Sequence, residues 1–210
     1  MPDRLVHIVD DDAPFRDSLR LMLEGHGFRV EEFASGLSFV ETIEHAPAGC
    51  ALVDVNMPEL DGLALQEHLN ERGVSSPVIV MTGAADVPTA VRAMKAGAVD
   101  FIEKPFELAT VLEAIGTALG RAAVPADDDP QVAAFRARLA DLTPREREIL
   151  QAVVAGNPTK VIAYDLDISP RTVHVHRARI SDKLGVTGLS NLVRLALAAG
   201  VSGRAPPRRP

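Results

Sequence analysis

Four short apolar runs each end in a residue whose chemistry suits a phosphoryl group and a divalent cation. Leu5–Val9 is followed by Asp10 and Asp11, 51–53 by Asp54, 78–81 by Thr82, and 99–102 shortly by Lys104 and Pro105. Runs this short and unbroken read as parallel strands buried on both faces. In an open α/β sheet, ligands bind in the crevice at the carboxyl ends of the strands, so the acids, hydroxyl and amine are expected to meet there. Carboxylates attract a hard cation, while an amine and a hydroxyl supply charge and a donor to phosphoryl oxygens.

The segments between these runs are helical in pattern. Helices are expected over Ala13–Gly25, 37–44, 63–72, 87–96 and 108–119, with a further strand over 28–33. Strands alternating with helices in this way predict an α/β fold, a doubly wound five-stranded parallel sheet. Asp12 is placed to cap the first helix and Pro14 to occupy its first turn, with Gly25 and Gly27 punctuating its end.

Composition predicts two domains of opposite character. The 210 residues, 47% hydrophobic, suffice for two modest cores. Net charge is −7, but residues 1–125 hold 9 Lys/Arg against 20 Asp/Glu, whereas 141–210 hold 11 against 6. An acidic half suits a cation site and a basic half a polyanion. Cys50, the only cysteine, has no partner for an internal disulfide and reads as an inert core thiol. Met1 leads almost directly into a strand, and no apolar run reaches the roughly 18 residues of a membrane span. The expectation is a soluble, cytoplasmic protein that makes no use of a membrane.

In the basic half, 122–140 reads as a linker with a short amphipathic helix over 132–139. Thr143, Pro144 and Glu146 then form a capping-box helix start, Ile149, Leu150, Val153 and Val154 give that helix its apolar face, and Gly156 ends it. A second helix starts at Thr159 and a third, capped by Ser169, runs to Leu184. At about 100° per residue, Val173, Ile180 and Leu184 share one side of the third helix. Arg171, His174, Val175, Ala178 and Arg179 share the other, a basic face of small side chains suited to the major groove of double-stranded DNA, with Arg177 and Lys183 on the phosphate flanks. A helical protein-interaction module with a solvated basic face is the alternative. His174 and His176 point about 200° apart on a helix and do not chelate a metal. An apolar helix over 189–199 closes the domain, and 201–210 reads as a disordered basic tail.

The first 121 residues resemble the receiver domain of bacterial response regulators. The resemblance rests on Asp10-Asp11, Asp54-Val55-Asn56-Met57-Pro58, Met81-Thr82-Gly83, and the stretch from Ala96 to Phe106 that includes Phe101 and Lys104-Pro105. It implies the flavodoxin-like strand order 2-1-3-4-5 and Asp54 as phosphoacceptor. It also implies Mg2+ or Mn2+ held by Asp10, Asp11, Asp54 and the Asn56 carbonyl, a cis Lys104-Pro105 bond, and Thr82 and Phe101 as switch residues. Receivers are phosphorylated by a sensor histidine kinase and assist their own phosphoryl transfer and dephosphorylation without being enzymes of turnover. Aspartate-nucleophile phosphatases share the strand-end Asp but typically carry a second acid two residues on, where this chain has Asn56.

Residues 141–200 resemble the LuxR-type helix-turn-helix domain. The motifs are Leu142-Thr143-Pro144-Arg145-Glu146, Lys160-Val161-Ile162-Ala163, Ile168-Ser169-Pro170-Arg171-Thr172-Val173-His174-Val175-His176 and Lys183-Leu184-Gly185-Val186. The resemblance implies DNA contacts from Lys160 and Thr172 as well as from the recognition face. Thr159 departs from the Asn common there. Together the halves resemble a FixJ-like response regulator of the LuxR/NarL class. That implies a homodimer when phosphorylated, on a surface around Val91 and Lys95, and work with RNA polymerase on oxygen-responsive or nitrogen-fixation genes under a haem-based kinase.

Overall fold

The computed structural model of the chain describes residues 4–43, 49–74, 76–83, 86–121 and 129–204. Its elements follow the expected order: β1 (Leu5–Val9), α1 (Ala13–Gly25), β2 (Arg29–Phe33), α2 (Gly36–Ile43), β3 (Cys50–Asp54), α3 (Gly62–Glu71), β4 (Val78–Thr82), α4 (Val87–Lys95), β5 (Asp100–Glu103) and α5 (Leu108–Arg121). All strands pair in parallel in the order β2-β1-β3-β4-β5. β1, β3 and β4 are buried along their whole length, as unbroken apolar runs require. Val6, Ile8, Leu52, Ile79 and Met81 pack against Leu23 of α1 and Val111 and Ile115 of α5. Each such side chain contributes about 1.5–3 kcal/mol of burial.

β3 and β4 each run one residue further than the apolar pattern alone, so Asp54 and Thr82 are the last residues of their strands. The register pairs Val9 with Val53, Asp54 with Met81 and Thr82 with Glu103, which brings the four strand ends level.

The helical region comprises α6 (Pro130–Arg138), a 3-10 turn at Leu139–Asp141, α7 (Pro144–Val154), α8 (Thr159–Asp165), α9 (Pro170–Leu184) and α10 (Leu189–Ala198). Ile149, Val153, Ile162, Val173, Ile180 and Val193 are fully buried. By its internal contacts the chain divides into 1–84 with 96–123, and 85–95 with 124–210. The expected linker is helical from Pro130, since Asp129 caps α6 and pairs with Arg194 at 3.7 Å. Residues 122–128 of that linker lie outside the described residues, as do Glu44, Ala84 and residues 205–210 of the tail. The tail's first residues correct the expectation of disorder from 201. The Val201 amide donates to the Ala196 carbonyl, and the Arg204 amide donates to that of Gln151 at 3.2 Å, which ties this stretch to α7. Among the described residues, no helix is long and apolar enough to cross a membrane.

Candidate functional site

At the carboxyl edge of the sheet the Lys104 ammonium donates to Asp10 Oδ2 at 2.6 Å and to Asp54 Oδ1 at 2.7 Å. Four strand ends meet at this cluster: Asp10 follows β1, Asp54 ends β3, and Lys104 follows β5 with its amide bonded to the carbonyl of Thr82, the end of β4. Asp10, Asp54 and Thr82 are 1%, 6% and 1% exposed. The Lys104-Pro105 bond is cis. Each carboxylate keeps a second donor on its other oxygen: the Asp12 amide at 2.9 Å for Asp10 Oδ1, and the Asn56 amide at 2.6 Å for Asp54 Oδ2. The Asp54 carboxylate is therefore oriented by its own turn, with Oδ1 presented to the lysine.

The electrostatics leave the pocket short of positive charge. Burial pushes the Asp10 carboxyl above its ordinary range, and the bonds from Lys104 and the Asp12 amide only partly oppose this. For Lys104, burial acts to lower the pKa, but the hydrogen bonds and charges of Asp10 and Asp54 outweigh it and the net shift is upward. Two buried acids, Asp10 and Asp54, thus share one ammonium, with the exposed Asp11 next in sequence to the first. Among the described residues, no three Asp, Glu, His or Cys side chains form a metal cage. Asp10 and Asp54 offer carboxylate oxygens, and hard cations such as Mg2+ or Mn2+ take one or two carboxylates and complete their shell with carbonyl and water oxygens.

Phe15, Arg16 and Phe106 join the site without having been expected there. The Lys104 ammonium lies 4.0 Å from the centre of the Phe15 ring, which meets Phe106 edge-on at 5.9 Å. Arg16 Nη1 donates to the Asp10 carbonyl at 2.5 Å. Asp12 accepts from the Phe15 amide at 3.2 Å and so caps α1, as its position before Pro14 predicted; the same cap swings Phe15 over the pocket. Gly62 has a related part. A Cβ there would collide with the Asp54 carbonyl oxygen, so only glycine lets α3 start this close to β3.

The expected switch residues, Thr82 and Phe101, are both buried. Of the two residues expected at a dimer surface, Val91 is 2% exposed in the single chain. Val87, Ala90, Val91 and Met94 make the i, i+3, i+4, i+7 face that an amphipathic helix buries, and of the pair only Lys95 is exposed. The Cys50 thiol, pushed up to about 12 by burial, is the inert core group expected.

In the helical unit, α9 divides as its wheel predicts. Val173, Ile180 and Leu184 are buried, whereas Arg171, His174, Val175, Ala178 and Arg179 are exposed, as is Lys160 on α8. Ser169 accepts from the Thr172 amide at 3.0 Å, and its hydroxyl lies 2.8 Å from that of Thr172, so this side chain also serves the helix cap. Arg177 is partly buried, with its Nε unbonded among the described residues, and burial lowers its pKa.

Lys183 departs from a free phosphate contact. Its amine donates to Glu146 at 2.7 Å and to the Asp141 carbonyl at 3.2 Å. Glu146, buried at 4% exposure, also accepts from the Thr143 amide and hydroxyl in the predicted capping box. The Lys183 bond and then the Thr143 amide hold its carboxyl down at about 2. The lysine's charge is committed inside the domain.

Comparison with known proteins assigns both units. Residues 6–116 match the response regulator receiver domain, and residues 140–196 match the bacterial regulatory proteins of the luxR family. The transcriptional regulatory protein FixJ of Rhizobium meliloti (strain 1021) is 48% identical over 200 residues, which span 95% of this chain and 98% of that protein. FixJ of Azorhizobium caulinodans is 45% identical over 203 residues, 96% of each. Among solved structures, full-length FixJ from B. japonicum matches with a TM-score of 0.57 at 41% identity, covering 95% of this chain and 98% of that one. A receiver with its acid pocket at the strand ends, joined to a helix-turn-helix unit and matched along nearly the whole length, places this chain in the FixJ-like response regulators of the LuxR/NarL class, transcription regulators governed by phosphorylation.

Proposed function

We propose that Asp54 accepts the phosphoryl group from a cognate sensor histidine kinase. The observation that carries this reading is the single Lys104 ammonium bridging Asp10 and Asp54 at the strand ends. With Oδ2 held by the Asn56 amide, Oδ1 is the free nucleophilic oxygen once Lys104 releases it. Oδ1 then bonds to phosphorus as the bond from phosphorus to the donor's leaving group breaks in line. Asp10 keeps the departing ammonium in the pocket, where it pairs with a phosphoryl oxygen as a point charge. The Thr82 hydroxyl donates to a second oxygen. Asp10, Asp11, Asp54 and the Asn56 carbonyl would hold Mg2+ or Mn2+, which would supply positive charge to neutralise that gathered around the transferring group. The same pocket serves slow loss of the phosphoryl group to water, so the receiver assists its own dephosphorylation. Asn56, in place of a general acid-base, favours a lasting acyl phosphate over turnover.

Phosphorylation promotes homodimerisation of the receiver through the region of α4 and β5 that includes Lys95, with Val91 uncovered in the active state and Thr82 and Phe101 relaying the change. Lys160, Arg171, Thr172, His174, Val175, Arg177, Ala178 and Arg179 face double-stranded DNA, Lys183 bracing the recognition helix beside them. The bound dimer works with RNA polymerase in the cytoplasm, on oxygen-responsive or nitrogen-fixation genes. With a small phosphodonor and Mg2+, the chain should gain one acid-stable, base-labile phosphoryl group, and Asp54→Asn should lose it. An equal modification of the variant, located by mass spectrometry, rejects the assignment.

A further inference from the structure

The surroundings of Lys104 contain a group that no part of the phosphoryl chemistry yet uses. The ammonium has Asp10 and Asp54 on two sides and the face of Phe15 on a third, 4.0 Å away. That ring is anchored twice. Its backbone is fixed at the start of α1 by the Asp12 cap, and its edge is met by Phe106, two residues beyond the lysine. Both rings are partly buried against the sheet's core.

We infer that Phe15 is a positioning residue for phosphoryl transfer, its ring face holding the Lys104 ammonium at the pocket while the amine changes partners. The inference rests on Asp54 being the phosphoacceptor. A lysine amine is a compact charge on a flexible stem, free to swing into water when an ionic partner is lost. Conversion of Asp54 to an acyl phosphate removes one of its two carboxylate partners. The ring quadrupole attracts the cation throughout, more strongly where water is excluded, and it accepts no proton and competes for no phosphoryl oxygen. Asp10 and Phe15 together restrict the amine to the side of the pocket where the phosphoryl oxygens arrive.

The test uses the full-length chain and its Phe15→Tyr and Phe15→Leu variants. The chain has only four lysines, so carbon-13 labelling of lysine Cε gives few resonances, and Lys104→Arg identifies that of Lys104. The ε protons in wild type and Phe15→Tyr should be shifted upfield by the ring current, and Phe15→Leu should lose the shift. The initial rate of Asp54 phosphorylation by acetyl phosphate with Mg2+ should be kept by Phe15→Tyr and fall about fivefold in Phe15→Leu, the scale of a partly desolvated cation–ring contact. Thermal unfolding identifies variants that are folded, and Phe15→Met replaces Phe15→Leu in the comparison if the latter is not. A folded aliphatic variant as fast as wild type overturns the inference, as does a Phe15→Tyr variant as slow as the aliphatic one. If wild type takes no phosphoryl group at Asp54, the underlying assignment fails first and the inference with it; a phosphorylated wild type with no Lys104 ring shift overturns the inference alone.

Discussion

Single side chains in this protein are committed by contacts as much as by type. Lys183 and Lys160 are both basic residues of the helix-turn-helix unit, yet Lys183 is bonded to a buried carboxylate while Lys160 is exposed. Lys160→Ala should therefore reduce the salt slope of DNA binding by about one phosphate's worth. Lys183→Met should leave that slope unchanged but destabilise the helical unit by about 2 kcal/mol, since Glu146 loses its ionic partner while staying buried. Glu146 is depressed from 4.5 to about 2 in the fold, so the pair's contribution is complete above about 4.5 and is lost as pH falls toward 2. Denaturant melts should show the gap between wild type and Lys183→Met closing across that window; a gap independent of pH would contradict the pairing.

At the scale of elements, strands and caps were legible in the sequence and the contacts between distant residues were not. Unbroken apolar runs marked the central strands, and short-range chemistry marked the helix starts at Asp12, Thr143 and Ser169, whose side chains all accept the expected amides. The strand-end residues of the pocket could be listed from those runs and the family resemblance. The Phe15 ring over Lys104 and the Lys183–Glu146 pair join residues far apart in sequence, and a helical period reports which face is apolar but not what it meets. Val91 shows the same limit, since its helical period marks a face that is buried in the single chain without reporting what covers it. Two elements meet so closely at Gly62 that Gly62→Ala should cost about 1–3 kcal/mol in a urea melt, because α3 must move off the Asp54 carbonyl. Along α9, Arg179→Ala or His174→Ala should alter base preference in selected duplexes. Arg177→Ala, by contrast, should weaken all sequences alike, with equal weakening by all three variants the outcome that rejects base reading.

For the whole molecule, an acidic receiver and a basic helix-turn-helix unit on one chain divide the labour between receiving a phosphoryl group and binding DNA. The proposed dimerisation would connect the two, because a second half-site contact becomes intramolecular once the first is made, with a gain of order 10²-fold or more. Sedimentation should find the unphosphorylated chain monomeric and the phosphorylated chain dimeric, and Lys95→Glu should weaken the dimer without preventing phosphorylation. A phosphorylated chain that stays monomeric while filling its DNA sites would remove dimerisation from the mechanism. The most direct measurement is the affinity of wild type and Asp54→Asn for a duplex selected by the phosphorylated protein, read by fluorescence anisotropy before and after treatment with acetyl phosphate and Mg2+. Wild type should tighten about a hundredfold on phosphorylation and Asp54→Asn not at all; equal affinity of phosphorylated and unphosphorylated wild type would contradict the account.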